Sequence, residues 1–451
     1  MPALPWAGNM IKTGRRFLVW TAVVLFLVVA ACAVALPIGF RAYLGSRDFR
    51  LRILESADRA LHAQGELMPL QSNGSALYTD GYVAHGTPAA PFSELRAEQI
   101  RADLNWHGLL RHAWQVDDFT VQRLNITLQS AQPVETPTAP VPSRPSSSST
   151  PWHLDLRRAH VQEANLKWGS PTSPGEASGM ALSVAPGDSG TAINVAGGKF
   201  TQQGWPAFDI VSARLRAQPQ SVSILESSFQ NPDGQVSVSG EIVFDQAADL
   251  QVNLAGLGLR PFLAPDWRAR IDGRIFADAN VHVSLGTPPS NPDSTTGSAR
   301  LENAVITALP ILDQIALFTR MERFRKINLS TATFDFTYSG DQFAARNLVA
   351  EASGLLRVEG AFTVGKGEIV GDFKVGVTPS SLQWLPGSRA RVFTESRDGY
   401  AWAPMRLTGP IDHPSEDLSP RLATAAAGEV IQGVESTVRE TTKGVLEWLL
   451  R

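Results

Sequence analysis

The residue types that could do chemistry form one motif resembling an active site. GDSG at 187–190 is the tetrapeptide that surrounds a trypsin-like serine nucleophile. Thr191 follows where a second glycine is expected, and no histidine segment of the 451-residue chain resembles the base of a catalytic triad. Because Pro186 precedes it, the tetrapeptide predicts a turn rather than a nucleophile.

Metal and nucleotide chemistry have no better support. His107 and His112 are five residues apart, whereas two metal ligands on one helix face need i, i+4 spacing. The glycines at 256–258 lack the third glycine and the helix of a dinucleotide site, and no P-loop is present. We therefore expect no catalytic residue, no metal site and no cofactor, so the protein is predicted not to be an enzyme.

Composition excludes further classes of protein. The net charge of −3 lacks the basic footprint of a nucleic-acid-binding protein. The single cysteine, Cys32, leaves the rest of the chain without a disulfide or a cysteine-based zinc site. One basic cluster, diluted by Glu322, fits a solvated helix end better than a phosphate site: Arg320, Arg323, Arg325 and Lys326.

Apolar residues alternate with polar ones through most of residues 235–285. A period of two predicts antiparallel strands with one apolar and one polar face. The alternation recurs from residue 76 onward with only isolated helices between, which argues against βαβ units and a parallel sheet. The expected fold class is mainly β, built on an antiparallel sheet.

An internal repeat lies within this β-rich text. VSVSGEIVF aligns with LRVEGAFTV, and Gly240 matches Gly360 at a separation of 120 residues. Each copy continues into a further alternating strand and then into a loop rich in leucine and proline, at 259–265 or 381–387. The pattern predicts a duplicated β unit, and a glycine within a strand indicates a bend or a close backbone approach.

The N-terminus predicts a membrane anchor. Residues 17–36 carry no charge, and such a helix spans roughly 30 Å, the thickness of a hydrocarbon core. We expect a cytoplasmic tail at 1–16 and a single transmembrane helix at 17–40, with the long remainder translocated. Two alternatives stay open: cleavage near Ala30–Ala35, and lipid attachment at Cys32 after a lipoprotein-like signal.

Four further regions follow the anchor. Residues 41–130 predict a juxtamembrane amphipathic helix and an N-terminal β unit. Residues 131–151, with six prolines and four consecutive serines, predict a linker between two lobes or a long loop from one sheet edge. Residues 152–418 form the main β region, and 419–451 predict a C-terminal amphipathic helix. We expect that helix to pack on the end of the sheet; contact with a membrane or a partner is the alternative.

Two segments resemble the AsmA family of inner-membrane proteins from bacteria with a Gram-negative envelope, which are related to TamB-type bridge-like lipid transfer proteins. The first, at 76–128, includes LYTDGYVAHG and FSELRAEQIRADLNWHGLLRHAWQVDDFTVQRLNITL. The second, at 297–377, includes GSARLENAVITALPILDQIALFTRMERFRKINLSTATFDF and NLVAEASGLLRVEGAFTV. The two segments cover about a third of the chain. By this resemblance, 41–130 contains an N-terminal AsmA-like unit and 152–418 an AsmA-like β-groove.

The resemblance implies an elongated, curled antiparallel β-sheet forming an apolar groove that shelters acyl chains. Each methylene buried there would contribute about 0.8 kcal/mol. The ordinary explanation of an alternating apolar face is a packed core, and it applies to each residue taken singly. The candidate lining residues of the lipid groove are Val236, Val238, Ile242, Phe244, Ile271, Ile275, Val281, Val283, Phe334, Phe336, Leu356, Val358, Phe362, Phe373 and Val375.

The function expected from anchor and resemblance is that of a non-enzymatic inner-membrane protein facing the periplasm. It would bind or convey phospholipid and support outer-membrane assembly, with acyl chains, the membrane and envelope proteins as partners. The alternative is an anchored structural or interaction scaffold of the envelope with a packed β core. An outer-membrane barrel also alternates with period two, but the apolar anchor and the helical C-terminus argue against it.

Overall fold

The structure, a computed structural model, confirms a mainly β protein. Of the described residues, 68% lie in strands and 12% in helices. In that part of the chain no helix has the length and hydropathy to cross a membrane. The predicted cytoplasmic tail, transmembrane helix and linker lie outside the described residues, as does most of the predicted C-terminal helix. The described residues are 44, 46–105, 113–129, 153–263, 265–286, 292–307, 325–383, 388–411 and 413–425.

The chain divides into two compact units, Met1–Pro186 and Gly187–Arg451. The first unit contains the predicted amphipathic helix, α1 (Arg47–Leu61). The Ser46 side chain caps this helix by accepting a hydrogen bond from the Phe49 backbone N–H at 3.2 Å. The strands described with this unit are β1 (Ala63–Leu67), β2 (Gln71–Asn73), β3 (Ala76–Gly86), β4 (Phe92–Asn105), β5 (Ala113–Leu128), β6 (His153–Leu156), β7 (Ala159–Ser170) and β8 (Ser173–Gly187).

The first unit is mixed rather than purely antiparallel, which corrects the expected fold class. Strands β1 and β2 pair with β3, β3 with β4, β4 with β5, and β7 with β8, all antiparallel. Strand β5, however, pairs in parallel with both β6 and β7. Parallel neighbours need a long crossover connection, and the proline- and serine-rich residues 131–151 lie in the connection between β5 and β6. They therefore join two paired strands of this unit.

Helix α1 covers part of the apolar face of the first unit. Leu54, Ala57 and Leu61 pack against a buried cluster that includes Tyr82 and Phe92. Farther along the sheet, a second cluster unites β4, β5, β7 and β8. Its register is continuous, because Ile100 lies beside Val121, Val121 beside Val161, and Val161 beside Leu182: Ile100, Val121, Val161 and Leu182 form one row across the four strands.

The second unit contains two short helices, α2 (Pro265–Arg268) and α3 (Ser388–Arg391), two 3-10 turns (Arg260–Phe262 and Pro379–Leu382), and a final helical stretch at 418–425. Its strands are β9 (Gly190–Ala196), β10 (Lys199–Gln202), β11 (Phe208–Ala217), β12 (Ser221–Gln230), β13 (Gln235–Val243), β14 (Ala247–Gly258), β15 (Ile271–Ser284), β16 (Ser294–Thr307), β17 (Lys326–Asn328), β18 (Thr331–Ser339), β19 (Gln342–Ala352), β20 (Leu356–Gly365), β21 (Glu368–Val377), β22 (Glu395–Arg397), β23 (Tyr400–Pro410) and β24 (Ser415–Glu416).

The long strands of the second unit form an antiparallel ladder. Each strand from β11 to β16 pairs with the next, β16 pairs with β18, and the ladder continues through β19, β20, β21 and β23. The short strands β9, β10, β17, β22 and β24 flank its members. Eleven long strands at a spacing of ~4.8 Å would extend about 48 Å. Alternation with period two therefore predicted this unit correctly.

Several long strands carry an irregularity in their pairing. Register shifts interrupt the pairing of β14 with β15, β18 with β19, and β19 with β20. A β-bulge bends its strand and increases the local twist. Gly240 and Gly360 occupy the close approach that the sequence predicted, because a Cβ on either would overlap the neighbouring strand, 2.8 Å from Leu250 Cα or 2.9 Å from Phe373 Cα.

The predicted duplication is visible in the order of the elements. In the first copy, β13 and β14 are followed by a 3-10 turn and α2 before β15. In the second copy, β20 and β21 are followed by a 3-10 turn and α3 before the chain returns as β22 and β23. Gly240 and Gly360 lie at corresponding places in β13 and β20. We call residues 259–270 the first loop and residues 378–394 the second loop.

Candidate functional site: an apolar face on the second unit

One face of the second unit is largely apolar from β13 to β23. The register brings the apolar position of each strand beside the apolar position of the next, so that the residues form rows perpendicular to the strands. We call this surface the apolar face. One row runs from β13 to β23 as Val238, Val252, Ala279, Gly297, Phe336, Ala345, Phe362, Gly371 and Leu407.

The predicted lining residues differ in exposure. Phe244, which directly follows β13, is exposed. Leu356 on β20 and Val375 on β21 are buried. The remaining twelve are half-buried, as expected of side chains on a sheet surface that is only partly covered: Val236, Val238, Ile242, Ile271, Ile275, Val281, Val283, Phe334, Phe336, Val358, Phe362 and Phe373.

An aromatic row crosses four strands of the apolar face. Phe334 and Phe336 lie on β18, Phe343 on β19, Phe362 on β20 and Phe373 on β21. Consecutive ring centroids along this row are 6.2, 6.1, 6.0 and 6.3 Å apart, within the range of favourable ring contacts. Four of these rings were predicted as groove lining; Phe343 was missed, although it alternates with Ala345 at the start of β19.

The apolar face is covered by the chain itself at one end of β20, β21 and β23. Leu356 and Val375 belong to a buried cluster that takes Leu382 and Phe393 from the second loop. The helical residues 418–425 complete it with Leu418, Leu422 and Ala425, each almost fully buried. The described part of the predicted C-terminal helix thus packs on the sheet and covers it at Leu356 and Val375.

The opposite face is polar and carries a network around β20. The Arg357 guanidinium donates hydrogen bonds to Glu359 at 2.8 Å and Glu351 at 3.0 Å. Arg397 donates to Glu359, and the Tyr400 hydroxyl donates to Glu351 at 3.0 Å. Burial opposes ionisation of Glu359, but the hydrogen bonds from the two arginines outweigh it and lower its pKa. Burial and the hydrogen bond to Glu351 raise the pKa of Tyr400.

Sequence reasoning missed this network, although one signal was present. Arg357 and Glu359 alternate on β20 and so lie on one face of it. Their partners Glu351 and Arg397 lie on β19 and β22, and no short motif links these strands. The charges satisfy one another across three strands, so the arrangement stabilises the polar face of the sheet.

The other motifs resolve as structural features where they are described. Asp188 and Ser189 form a turn directly before β9, so the turn prediction is confirmed. The glycines at 256–258 belong to β14 and its register shift opposite β15. Among the described residues no group of His, Cys, Asp and Glu side chains could hold a metal ion. His107, His112, Arg320 and Arg323 lie outside the described residues.

The chain matches no family model, no curated protein and no solved structure. The resemblance to the AsmA family therefore stays a prediction that rests on the two sequence segments.

Proposed function

We propose that the protein is a membrane-anchored, non-enzymatic envelope protein that binds or conveys phospholipid along the apolar face of its second unit. In this proposal residues 17–40 hold it in the inner membrane, the bulk of the chain faces the periplasm, and the lipid supports outer-membrane assembly. Acyl chains need an apolar surface of sufficient length, not a particular polar contact. The proposal therefore asks only for a continuous, accessible apolar face.

The observation that carries the proposal is the incomplete burial of that face. Twelve of the fifteen candidate lining residues are half-buried, although each lies beside apolar neighbours on the adjoining strands. A packed core would bury them as it buries Leu356 and Val375. A half-buried apolar surface of this length favours an interaction site, and the bulges and glycines that bend the strands favour a concave surface.

A second candidate function is favoured by the covered end of the same face. There the second loop and residues 418–425 fill the sheet with the protein's own side chains. If this packing extended along the whole face, the protein would be an anchored structural scaffold whose polar side or tail contacts other envelope proteins. The two candidates differ in one measurable property, which is whether lipid occupies the half-buried stretch.

Site-specific photo-cross-linking of the full-length protein tests this property. A photoreactive phenylalanine analogue at Phe362 would lie on the apolar face beside the aromatic row. The same analogue at Thr363, the next residue on β20, would point to the exposed polar side. We expect phospholipid adducts by mass spectrometry at 362 and not at 363. Equal labelling at both positions, or none at 362, would favour the scaffold.

A further inference from the structure

The two loops that follow the duplicated strands differ in what covers them. The first 3-10 turn ends at Phe262 and the second at Leu382, so these residues hold corresponding places. Leu382 is buried in the cluster completed by residues 418–425. Phe262 is 38% exposed. The first copy thus presents an apolar surface where the second copy buries one.

Trp205 enlarges this surface. It lies in the turn between β10 and β11 and is 57% exposed, more than any other large apolar side chain in the described residues. Its ring meets that of Phe262 edge-on, with centroids 5.6 Å apart. Folding normally buries such rings or places them at a boundary between apolar and aqueous surroundings. Two exposed aromatic rings from separate loops, in contact at the edge of the ladder where β11 begins and β14 ends, therefore form a surface suited to such a boundary.

The arginines of the first loop favour an anionic boundary, although Asp233 beside Gly258 and Asp272 beside Arg260 add negative charge. The first loop carries three arginines and one aspartate in a chain whose net charge is −3. Arg268 is exposed and held by a hydrogen bond to the Leu263 carbonyl at 2.8 Å, and Arg270 lies over the Trp267 ring at 5.6 Å. Arg260 has a carboxylate partner, Asp272, at 2.8 Å. Aromatic rings beside arginines suit a layer of lipid head groups.

We propose that Trp205, Phe262 and the arginines of the first loop dock on a membrane surface that contains anionic phospholipid. This aromatic lip borders the strand ends of the apolar face, so it would place that face next to a source or an acceptor of lipid. Docking in this way rests on the proposed function, because it would serve the transfer of lipid to or from the apolar face. The two can fail separately, since one concerns a surface and the other the lining of the sheet.

The test keeps the full chain and separates docking from anchoring. The protein is reconstituted in nanodiscs of phosphatidylcholine, which occupy the predicted anchor, and is mixed with vesicles of phosphatidylcholine and phosphatidylglycerol in equal parts. Flotation then reports vesicle contact by the rest of the chain. We expect nanodiscs that carry the protein to float with these vesicles and empty nanodiscs to remain below.

Three variants identify the surface. The double variant Trp205→Ser/Phe262→Ser should lower the apparent vesicle affinity about tenfold, because membrane binding scales with the apolar area inserted. Arg268→Gln should lower it about fivefold, the typical effect of one basic residue near an anionic surface. The control double variant Leu225→Ser/Val370→Ser removes side chains of similar exposure, 49% and 42%, away from the aromatic lip and should bind like the wild type.

Several results would overturn the docking proposal. The proposal is overturned if the wild-type protein does not float, or if flotation is unchanged in the Trp205→Ser/Phe262→Ser variant. Equal flotation with vesicles of phosphatidylcholine alone would overturn it too. Self-association of the nanodiscs that is lost in this variant would instead assign the lip to a second copy of the chain. Phospholipid cross-linked at position 362 is measured on the same variant: retained adducts with lost flotation separate docking from the proposed lipid site.

Discussion

The two copies of the duplicated unit share their strand order and differ in what lies on their apolar side. In the first copy, β13 to β15 keep Val238, Ile275 and Val281 half-buried. In the second copy, the beginning of β20 and the end of β21 are buried beneath the second loop and residues 418–425. The alternating pattern is the same in both. Whether an apolar face becomes core or stays accessible is therefore decided by segments outside the strands.

The polar sides of the two copies differ as well. Glu359 in the second copy is held by two arginines, whereas the corresponding residue of the first copy, beside Gly240, is Ser239. The second copy thus has both the covered apolar end and the ion-pair network. We infer that the second copy is the stable part of the duplicated pair and that the first copy retains the more accessible surface.

The largest expected effect on stability lies at the two 3-10 turns, where the copies differ in burial. Leu382→Ala should lower the free energy of unfolding by about 2–4 kcal/mol, because it leaves a cavity in a buried cluster. Phe262→Ala at the corresponding place should lower it by only about 1 kcal/mol, because the ring is 38% exposed and loses mainly its edge-on contact with Trp205. Urea denaturation of the full-length protein, followed by tryptophan fluorescence, measures both. Equal losses would mean that Phe262 is covered as fully as Leu382.

The contrast between the loops also shows how much the sequence could predict. Period-two alternation identified the strands of the second unit, and the spacing of Gly240 and Gly360 identified the duplication, because both depend on local backbone geometry. The burial of Leu356 and Val375 was not separable from that of Val236, because all three have the same alternating environment. It depends on residues 418–425, which are distant in the sequence.

The parallel pairing of β5 with β7 is also a long-range contact that the sequence pattern does not reveal. The alternation in the two strands carries no information about direction, and residues 131–151 allowed two interpretations. The network around Arg357 likewise required the pairing of β19 with β20 and of β22 with β23. Sequence reasoning therefore predicted the faces of the strands well, and it failed where a long-range contact decides which face is covered.

The second prediction concerns the strand glycine that both copies share. Gly360→Ala and Gly240→Ala should each lower the free energy of unfolding by about 1–3 kcal/mol, because the new Cβ overlaps the backbone of the neighbouring strand. Gly365→Ala, at the end of β20, is the matched control, since its Cβ would meet only ordinary contacts, the nearest at 3.7 Å. The control should be neutral or slightly stabilising. A control as damaging as Gly360→Ala would show that flexibility, and not the close approach, is the cause.

The third prediction concerns the network that the first copy lacks. Glu359→Gln should lower the free energy of unfolding by about 1 kcal/mol at pH 7, because the two arginines lose a charged partner. The pKa of Glu359 is lowered in the folded protein. Its contribution is therefore complete above the ordinary carboxyl pKa of about 4.3 and is lost as the pH falls through the lowered value.

Denaturation curves of wild type and Glu359→Gln from pH 7 to pH 3 check this dependence. The difference between the two proteins should narrow only in the acidic part of the range. Glu241→Gln, an exposed position on β13 next to Gly240, is the control and should match the wild type at every pH. A difference between Glu359→Gln and wild type that stays constant down to pH 3 would contradict the role of the Glu359 charge.

The smallest expected effect lies on the polar side of the first copy. Asp249 on β14 contacts His282 Nδ1 on β15 at 2.7 Å, but the Asp249 side chain is 72% exposed. An exposed pair gains little from its charges, because water screens them and both side chains lose freedom. Asp249→Asn should therefore change the free energy of unfolding by less than about 0.5 kcal/mol, measured in the same denaturation series. A loss as large as that of Glu359→Gln would make the polar sides equivalent and leave the covered apolar end as the difference between the copies.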